Sequence, residues 1–195
     1  MMLKNGGRVA VVVILVLCGL AACGTQPGES TDEKFDRSPR PGLTNFTRID
    51  GSSGFAGESA GFGGATEPSA MAALKNEGFA TIINLRLANE RGADIEADRA
   101  AAEQAGLNFV HLPFSSQTAG PEVVDNFLAT VTNPDNQPVY IYCASGTRAV
   151  ALWMTGRVLV DEWDIETARQ EAGNIAAMPE RAAALAETII VSRQP

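Results

Sequence analysis

The sequence predicts an α/β domain in which a parallel sheet of four to five strands is flanked by helices. Short β-favouring runs such as Thr81–Leu85 and Val139–Tyr142 alternate with longer stretches of helical pattern, and this alternation is typical of parallel sheets covered on both faces. The length of 195 residues leaves room for one such domain and a leader. An apolar content of 45% is sufficient for a buried core.

Residues 1–22 are predicted to be a lipoprotein signal peptide. Lys4 and Arg8 precede an apolar run over residues 9–20, which is shorter than a membrane-spanning helix requires. The run ends in the sequence LAAC, which resembles a bacterial lipobox with Cys23 as the lipidated residue. The alternatives are an ordinary signal peptide and an uncleaved anchor. We therefore expect a chain that is lipid-anchored to a bacterial membrane, on the periplasmic or extracytoplasmic side of the cell envelope.

Residues 23–41 are predicted to be a disordered tether, and residues 42–195 the folded domain. The tether is rich in polar and charged residues and in Pro and Gly, and Phe35 is its only large apolar side chain. Cys18 leaves with the signal peptide and Cys23 carries the lipid, so Cys143 is left alone. No intramolecular disulfide is therefore expected.

The predicted elements of the domain follow the alternating order, and helix caps support several of them. Pro121 stands at a favoured first helical position, while Gly78 and Gly106 follow predicted helix ends. Residues 51–64 have no clear pattern. The predicted strands are Asn45–Ile49, Thr81–Leu85, Asn108–Leu112 and Val139–Tyr142. The predicted helices are Glu67–Asn76, Asp94–Gln104, Pro121–Val131, Gly146–Val160, Ile165–Ala172 and Pro179–Val191.

A reaction centre is predicted at the end of the Val139–Tyr142 strand. Cys143 is followed there by Ala144, Ser145, Gly146, Thr147 and Arg148, and then directly by a helical pattern. Such a loop directs backbone N–H groups and the positive end of a helix at one place, which stabilises a thiolate. An arginine can bind an oxyanion there with two N–H donors. The alternative is that Cys143 is an ordinary buried core residue.

Other polar residues near the same sheet edge have weaker support as site residues. Arg86 follows the Thr81–Leu85 strand, so it is either a substrate-binding residue or an ion-paired surface residue. Glu90, Asp94 and Glu96 follow it and are either candidate acids or a solvated loop and helix start. His111, the only histidine, is expected to bond a neighbouring backbone group rather than to act in catalysis.

The composition excludes several classes of function. The formal net charge of −8 and the pI near 4.7 argue against nucleic-acid binding. One histidine and one free cysteine do not make a metal site of the usual spacing, and no cofactor is expected. A small oxyanionic substrate remains compatible with this charge because the field at one loop can oppose the overall sign.

Five segments, in this order, resemble the dual-specificity and tyrosine phosphatase superfamily. The most similar branch is the bacterial one called beta-lactamase-hydrolase-like protein phosphatase-like, and the resemblance covers roughly residues 43–175. The segments are Asn45–Ile49 (NFTRI), Gly63–Ser69 (GGATEPS), Ile82–Arg86 (IINLR), Val110–Pro113 (VHLP) and Cys143–Arg148 (CASGTR). The resemblance implies a three-layer cysteine-phosphatase-like domain. It also implies that Cys143 attacks phosphorus, while Arg148 and the N–H groups of residues 144–147 hold the phosphate oxygens.

The loop departs from the phosphatase pattern, which has five residues between cysteine and arginine where this chain has four. Four is the spacing of rhodanese-type sulfurtransferases. Tyr142 and Ala149 replace the usual histidine and hydroxyl residue, and Ser115 and Ser116 stand where the acid is expected. The first hypothesis is therefore a slow cysteine-dependent phosphatase acting on a phosphomonoester. The alternatives are a sulfurtransferase using a Cys143 persulfide and a catalytically inactive domain that binds an anion or a partner.

Overall fold

The computed structural model describes residues 34–51 and 54–193. The predicted signal peptide, the lipidation site Cys23 and the tether up to residue 33 lie outside the described residues, so these remain predictions. Within the described part of the chain, no helix combines the length and the apolar character needed to cross a membrane.

The described residues form six strands and six α-helices, with short 3-10 turns at Pro68–Ala70 and Pro134–Asn136. The strands are β1 (Phe35–Asp36), β2 (Thr47–Asp50), β3 (Ser59–Gly63), β4 (Thr81–Asn84), β5 (Asn108–His111) and β6 (Val139–Tyr142). The helices are α1 (Met71–Asn76), α2 (Ile95–Gln104), α3 (Pro121–Val131), α4 (Thr147–Leu159), α5 (Ile165–Ile175) and α6 (Pro179–Ser192).

The strands form one mixed sheet in the order β1-β2-β3-β6-β4-β5. Strands β3, β6, β4 and β5 run parallel, whereas β1 and β2 continue the sheet in antiparallel fashion. The α/β class is therefore confirmed. The expectation of a wholly parallel sheet of four to five strands is corrected, because β1 and β3 add two strands and β2 runs opposite to the other five.

Strand β3 was missed because its sequence, SAGFG, lacks the branched residues that mark a strand. The structure shows why small residues stand there. A Cβ atom on Gly61 would lie 2.5 Å from the ring of Phe79, and one on Gly63 would lie 1.8 Å from the hydroxyl of Tyr140. The aromatic side chains therefore occupy the space that side chains on β3 would need.

Residues 34–41 were assigned to the tether, but they pack against the domain. Phe35 is only 7% exposed and pairs with Ile49 of β2. Arg40 donates hydrogen bonds to Asp36 (2.7 Å) and Glu77 (2.6 Å), and its guanidinium lies 4.9 Å from the Phe46 ring centroid. Residues 34–41, which the sequence placed in the tether, therefore pack against the domain, and the boundaries predicted for the rest of the tether stay a prediction. Phe35 is the one aromatic side chain that this segment buries. It is enough to hold the segment on the domain because the pairing of β1 with β2 and the ion pairs of Arg40 satisfy the polar groups around it.

The two faces of the sheet bury separate apolar clusters, and β6 supplies both. Val139 and Ile141 belong to the larger cluster with α3, α4, α5 and α6, whereas Tyr140 and Tyr142 pack on the other face with α1 and α2. This alternation follows from the two-residue period of a strand. Helix α4 is buried along most of its length, so the loop between β6 and α4 is fixed at both ends.

A buried ion pair joins α4 to α5. Glu171 accepts hydrogen bonds from Arg157 Nε (2.7 Å), Arg157 Nη2 (2.9 Å) and the indole of Trp153 (2.8 Å). Lys34 reaches the same carboxylate at 3.1 Å. Burial alone would raise the pKa of Glu171, but the bonds from Arg157 and Trp153 outweigh it and lower that pKa overall.

Candidate active site

The cysteine loop lies at the carboxyl end of β6, in the middle of the sheet. Cys143 is buried, and its backbone N–H donates to the carbonyl of Gly63 at 3.3 Å. Gly146 has a φ of +91°, a left-handed conformation that glycine adopts without strain, and it turns the chain into α4. Its N–H donates to Cys143 Sγ at 3.1 Å. The loop therefore curls around the thiol.

Neighbouring segments bind the carbonyl groups of the loop and leave its N–H groups available. The N–H of Ala65 donates to the Ala144 carbonyl (3.0 Å), and the side-chain amide of Asn45 donates to the Ser145 carbonyl (3.2 Å). The backbone N–H groups of residues 144, 145, 147, 148 and 149, by contrast, donate to no acceptor among the described residues. Unpaired N–H groups at the start of a long helix form an anion-binding site.

The small size of Gly64 allows the segment after β3 to lie directly against the cysteine loop. A Cβ atom on Gly64 would lie 3.2 Å from the Ala144 carbonyl oxygen and 3.3 Å from the carbonyl carbon of Ser145. Both separations are tighter than usual, so a side chain would push the loop outward. The glycine pair after β3 therefore brings a second backbone segment against the cysteine loop.

Arg148 is held by a bidentate ion pair. Its Nη1 and Nη2 donate to the two carboxylate oxygens of Glu90 at 2.7 and 2.8 Å. Nη1 also donates to the carbonyls of Leu85 (2.9 Å) and Phe114 (2.6 Å). The Nε–H and one Nη2–H lie on the other edge of the planar group, and no carboxylate or carbonyl among the described residues accepts from them. That edge is the one that can fork onto an oxyanion.

The ion pair sets the charge state of both partners. Burial alone would lower the pKa of Arg148, but the Glu90 carboxylate and the nearby Cys143 sulfur raise it overall. Burial alone would raise the pKa of Glu90, but the bonds from Arg148 and the Leu87 N–H lower it overall. Glu90 is therefore an ionised partner of Arg148 and does not suit the role of acid that was weighed for it. Asp94 caps α2 by accepting from the Ala97 N–H at 3.0 Å.

Arg86 lies outside the cleft that contains Arg148. It is buried, and its Nη2 and Nη1 donate to the carbonyls of Arg91 (2.7 Å) and Gly92 (3.0 Å). Arg86 therefore fixes the loop that presents Glu90, and its role in substrate binding stays a prediction. His111 donates through Nε2 to the Arg86 carbonyl at 2.8 Å, which confirms that it bonds a backbone group.

Tyr142 points to the opposite face of the sheet from the larger apolar cluster. Its hydroxyl donates to Asp98 Oδ2 at 2.7 Å, and the side-chain amide of Asn84 donates to the same oxygen at 3.1 Å. Burial raises the pKa values of both Tyr142 and Asp98. This tyrosine therefore belongs to a buried polar network on the face of the sheet that packs against α1 and α2.

A cleft of about 470 Å³ opens over the loop. Ser145, Thr147 and Arg148 line it from the cysteine loop, and Ser115 and Ser116 line it from the segment after β5. Glu90 is the only carboxylate among its lining residues, so the acid missing from the sequence is not replaced from elsewhere in the described part of the chain. The remaining lining residues are Leu87, Met178, Arg181 and Leu185.

The contribution of α6 to the cleft was not predicted, and Glu90 was weighed only as a candidate acid, not as the ion-pair partner of Arg148. Met178, Arg181 and Leu185 come from the last helix, and no motif marks them in the sequence. The ion pair of Glu90 likewise depends on how its loop folds back. Among the described residues, no group of three or more His, Cys, Asp or Glu side chains could hold a metal ion.

Solved structures with similar folds are phosphatases or related proteins. The structure of P. aeruginosa TpbA, in a cysteine-to-serine form in complex with pTyr, is 17% identical, covers 83% of this chain and 94% of its own, and has a TM-score of 0.60. The core catalytic domain of the PP-IP phosphatase SIW14 from S. cerevisiae, in complex with citrate, is 19% identical, with coverages of 74% and 85% and a TM-score of 0.57. At these identities the similarity establishes the fold.

A third similar structure is that of nma1982 from Neisseria meningitidis Z2491. It is 22% identical, covers 65% of this chain and 92% of its own, and has a TM-score of 0.55. No curated protein matches the chain. The family model "Beta-lactamase hydrolase-like protein, phosphatase-like domain" matches residues 55–160, which is more than half of the chain and includes the cysteine loop. The chain therefore belongs to the phosphatase-like domain family of beta-lactamase hydrolase-like proteins.

Proposed function

We propose that the protein is a cysteine-dependent phosphatase that hydrolyses a phosphomonoester through its Cys-x4-Arg loop. The observation that carries this proposal is the set of N–H groups at residues 144, 145 and 147–149, which have no acceptor among the described residues and belong to the segment that begins at Cys143 and includes Arg148. Membership of a phosphatase-like family supports the same chemistry. TpbA with pTyr and SIW14 with citrate are similar folds that bind oxyanionic ligands.

In this mechanism the Cys143 thiolate attacks phosphorus, an S–P bond forms and the P–O bond to the leaving group breaks. The loop N–H groups and Arg148 stabilise the charge that spreads over the other phosphate oxygens. Water then attacks the phosphocysteine, releases inorganic phosphate and restores the thiolate. The cleft offers serine hydroxyls rather than an available carboxylic acid, so the leaving oxygen takes its proton from solvent. We therefore expect slow turnover.

The loop length favours a second candidate, a rhodanese-like sulfurtransferase. Four residues between Cys143 and Arg148 make a smaller ring of N–H groups than the five-residue loop of the resembling phosphatases. In that reaction Cys143 would take the outer sulfur of thiosulfate as a persulfide, release sulfite and pass the sulfur to a nucleophile such as cyanide. A protein that binds oxyanions but performs neither reaction would fit the third hypothesis, an inactive anion-binding domain.

The test compares phosphate release from p-nitrophenyl phosphate with thiocyanate formation from thiosulfate and cyanide. We expect phosphate release by the wild-type protein and none by Cys143→Ser, which removes the nucleophile while leaving the backbone N–H groups in place. Alkylation of Cys143 by iodoacetamide should slow in phosphate or vanadate. The exposed variant Lys75→Gln serves as the control. Absence of both reactions together with absence of anion protection would leave Cys143 an ordinary core cysteine.

We also propose that the protein acts at the bacterial cell envelope, held by lipid on Cys23. The apolar leader that ends in LAAC supports this location. Cells that express the full-length chain should incorporate labelled fatty acid into the protein, and Cys23→Ala should abolish the label. Equal labelling of both forms would contradict lipidation at Cys23.

A further inference from the structure

The two arginines that line the cleft differ in their partners. Glu90 compensates the charge of Arg148 through two hydrogen bonds. Arg181, on the first turn of α6, is exposed and forms no ion pair with any residue that the structure describes; its Nη1 donates a 3.5 Å hydrogen bond to Met178 Sδ. Of the two arginines in the cleft lining, Arg181 is therefore the one without a carboxylate partner in the described part of the chain.

Acidic residues near Arg181 pair with a different arginine. Glu180, the preceding residue, lies 3.8 Å from Arg169, and Glu187, further along α6, also bonds Arg169. Arg169 thus pairs with both of these carboxylates of α6, and neither is three or four residues from Arg181, the spacing at which side chains on a helix meet. On the facing wall of the cleft, Ser115 and Ser116 present hydroxyls instead of carboxylates.

The cleft consequently has a local charge opposite to that of the whole chain. Its lining includes two arginines and one glutamate, whereas the chain has a formal net charge of −8. A phosphate group held by the Cys143 loop uses the free edge of Arg148 and leaves Arg181 uncompensated. Arg181 comes from α6 and Arg148 from α4, and both line the same cleft, so the two cations can contact different parts of one ligand.

We propose that Arg181 is a specificity-determining residue that selects phosphomonoesters carrying a second anionic group. This inference rests on the proposed phosphatase function and names the substrate class of the same site. The second anion, a carboxylate or another phosphate, accepts charge-assisted hydrogen bonds from the Arg181 guanidinium, while the phosphate to be transferred occupies the cysteine loop. Met178 and Leu185 provide apolar contact for the body that joins the two anions.

The test uses two matched substrates, 4-carboxyphenyl phosphate and its neutral 4-carbamoyl analogue. The measured quantity is the kcat/KM of the carboxylate substrate divided by that of the carbamoyl substrate. This ratio is compared between protein variants, because the difference in intrinsic reactivity of the two substrates is the same for every variant. We expect this ratio to fall roughly fivefold or more in Arg181→Gln, because one charge-assisted bond is lost, and further in Arg181→Glu. Arg181→Lys should retain part of the preference. Arg193→Gln, at the far end of the same helix, is the control and should leave the ratio unchanged.

Binding measurements separate failure of this inference from failure of the proposed function. If neither compound is hydrolysed, the phosphatase proposal fails, and calorimetric affinities of Cys143→Ser protein for the two compounds give the same comparison without turnover. A preference for the carboxylate that depends on Arg181 supports the inference in either assay. A ratio that is equal in wild-type and Arg181→Gln proteins, or absence of binding by both compounds, overturns it.

Discussion

Replacing Arg148 by lysine is expected to lower kcat/KM for a phosphomonoester by about 100-fold or more. The expected loss is that of an oxyanion-stabilising donor in a preorganised site. Lysine keeps the positive charge but lacks the planar fork, so it cannot bond Glu90 through one edge and an oxyanion through the other. Steady-state kinetics with p-nitrophenyl phosphate measure the effect, and circular dichroism shows whether the variant folds.

The matched control for this substitution is Arg91→Lys. The Arg91 side chain is exposed, and its part in the site is the backbone carbonyl that accepts from Arg86. We therefore expect activity close to that of the wild-type protein. If folded Arg148→Lys protein kept most of its kcat/KM, the geometry of the fork would have no role in the reaction.

Replacing Glu171 by alanine is expected to lower the free energy of unfolding by about 3–5 kcal/mol, the usual cost of removing one partner from a buried ion pair. Arg157 is 1% exposed, and its Nε and Nη2 would lose the carboxylate that they bond, although Asp161 would still accept from Nη1. Trp153 would lose its acceptor as well. Denaturant unfolding of the two proteins measures the difference.

The pH dependence of this loss has a definite sign. Because folding lowers the pKa of Glu171 from its ordinary value of 4.5, the stabilisation is fully present above about pH 4.5 and is lost as the pH falls through the folded-state pKa. The difference between wild-type and variant should therefore shrink in acid. Glu166→Ala, on the same helix but exposed and 3.6 Å from Arg169, should change stability by less than about 0.5 kcal/mol. Equal losses from both variants would contradict a special role for Glu171.

The elements with strong local patterns were predicted from the sequence with little error. The bounds of α3 and β6 are those predicted, because proline at a helix start and an uninterrupted β-favouring run are local signals. Strands β1 and β3 escaped prediction for the opposite reason. Strand β1 has two residues, and β3 owes its small side chains to Phe79 and Tyr140, which are neighbours only in the folded molecule.

The candidate site likewise has one part that the sequence predicts and another part that depends on the fold. The cysteine loop is a contiguous segment, so its place between strand and helix could be predicted from the sequence. The positions of Glu90, Arg86 and Arg181 depend on how separate segments meet. An arginine after a strand could equally enter the cleft or fix its own loop, and the hydrogen bonds of Arg86 to Arg91 and Gly92 decide this only in three dimensions.

The pairing of β3 with β6 determines the stage of folding at which Cys143 reaches its final surroundings. These strands are far apart in the chain, and parallel pairing of distant segments is a slow step in folding because a large loop must close first. The bond from Cys143 to Gly63 extends this pairing, so the loop cannot take its folded position on a growing chain before β6 and Cys143 have been synthesised. The surroundings of Cys143 are thus completed only after β3 and β6 have paired, and a partly folded chain would lack the proposed anion site.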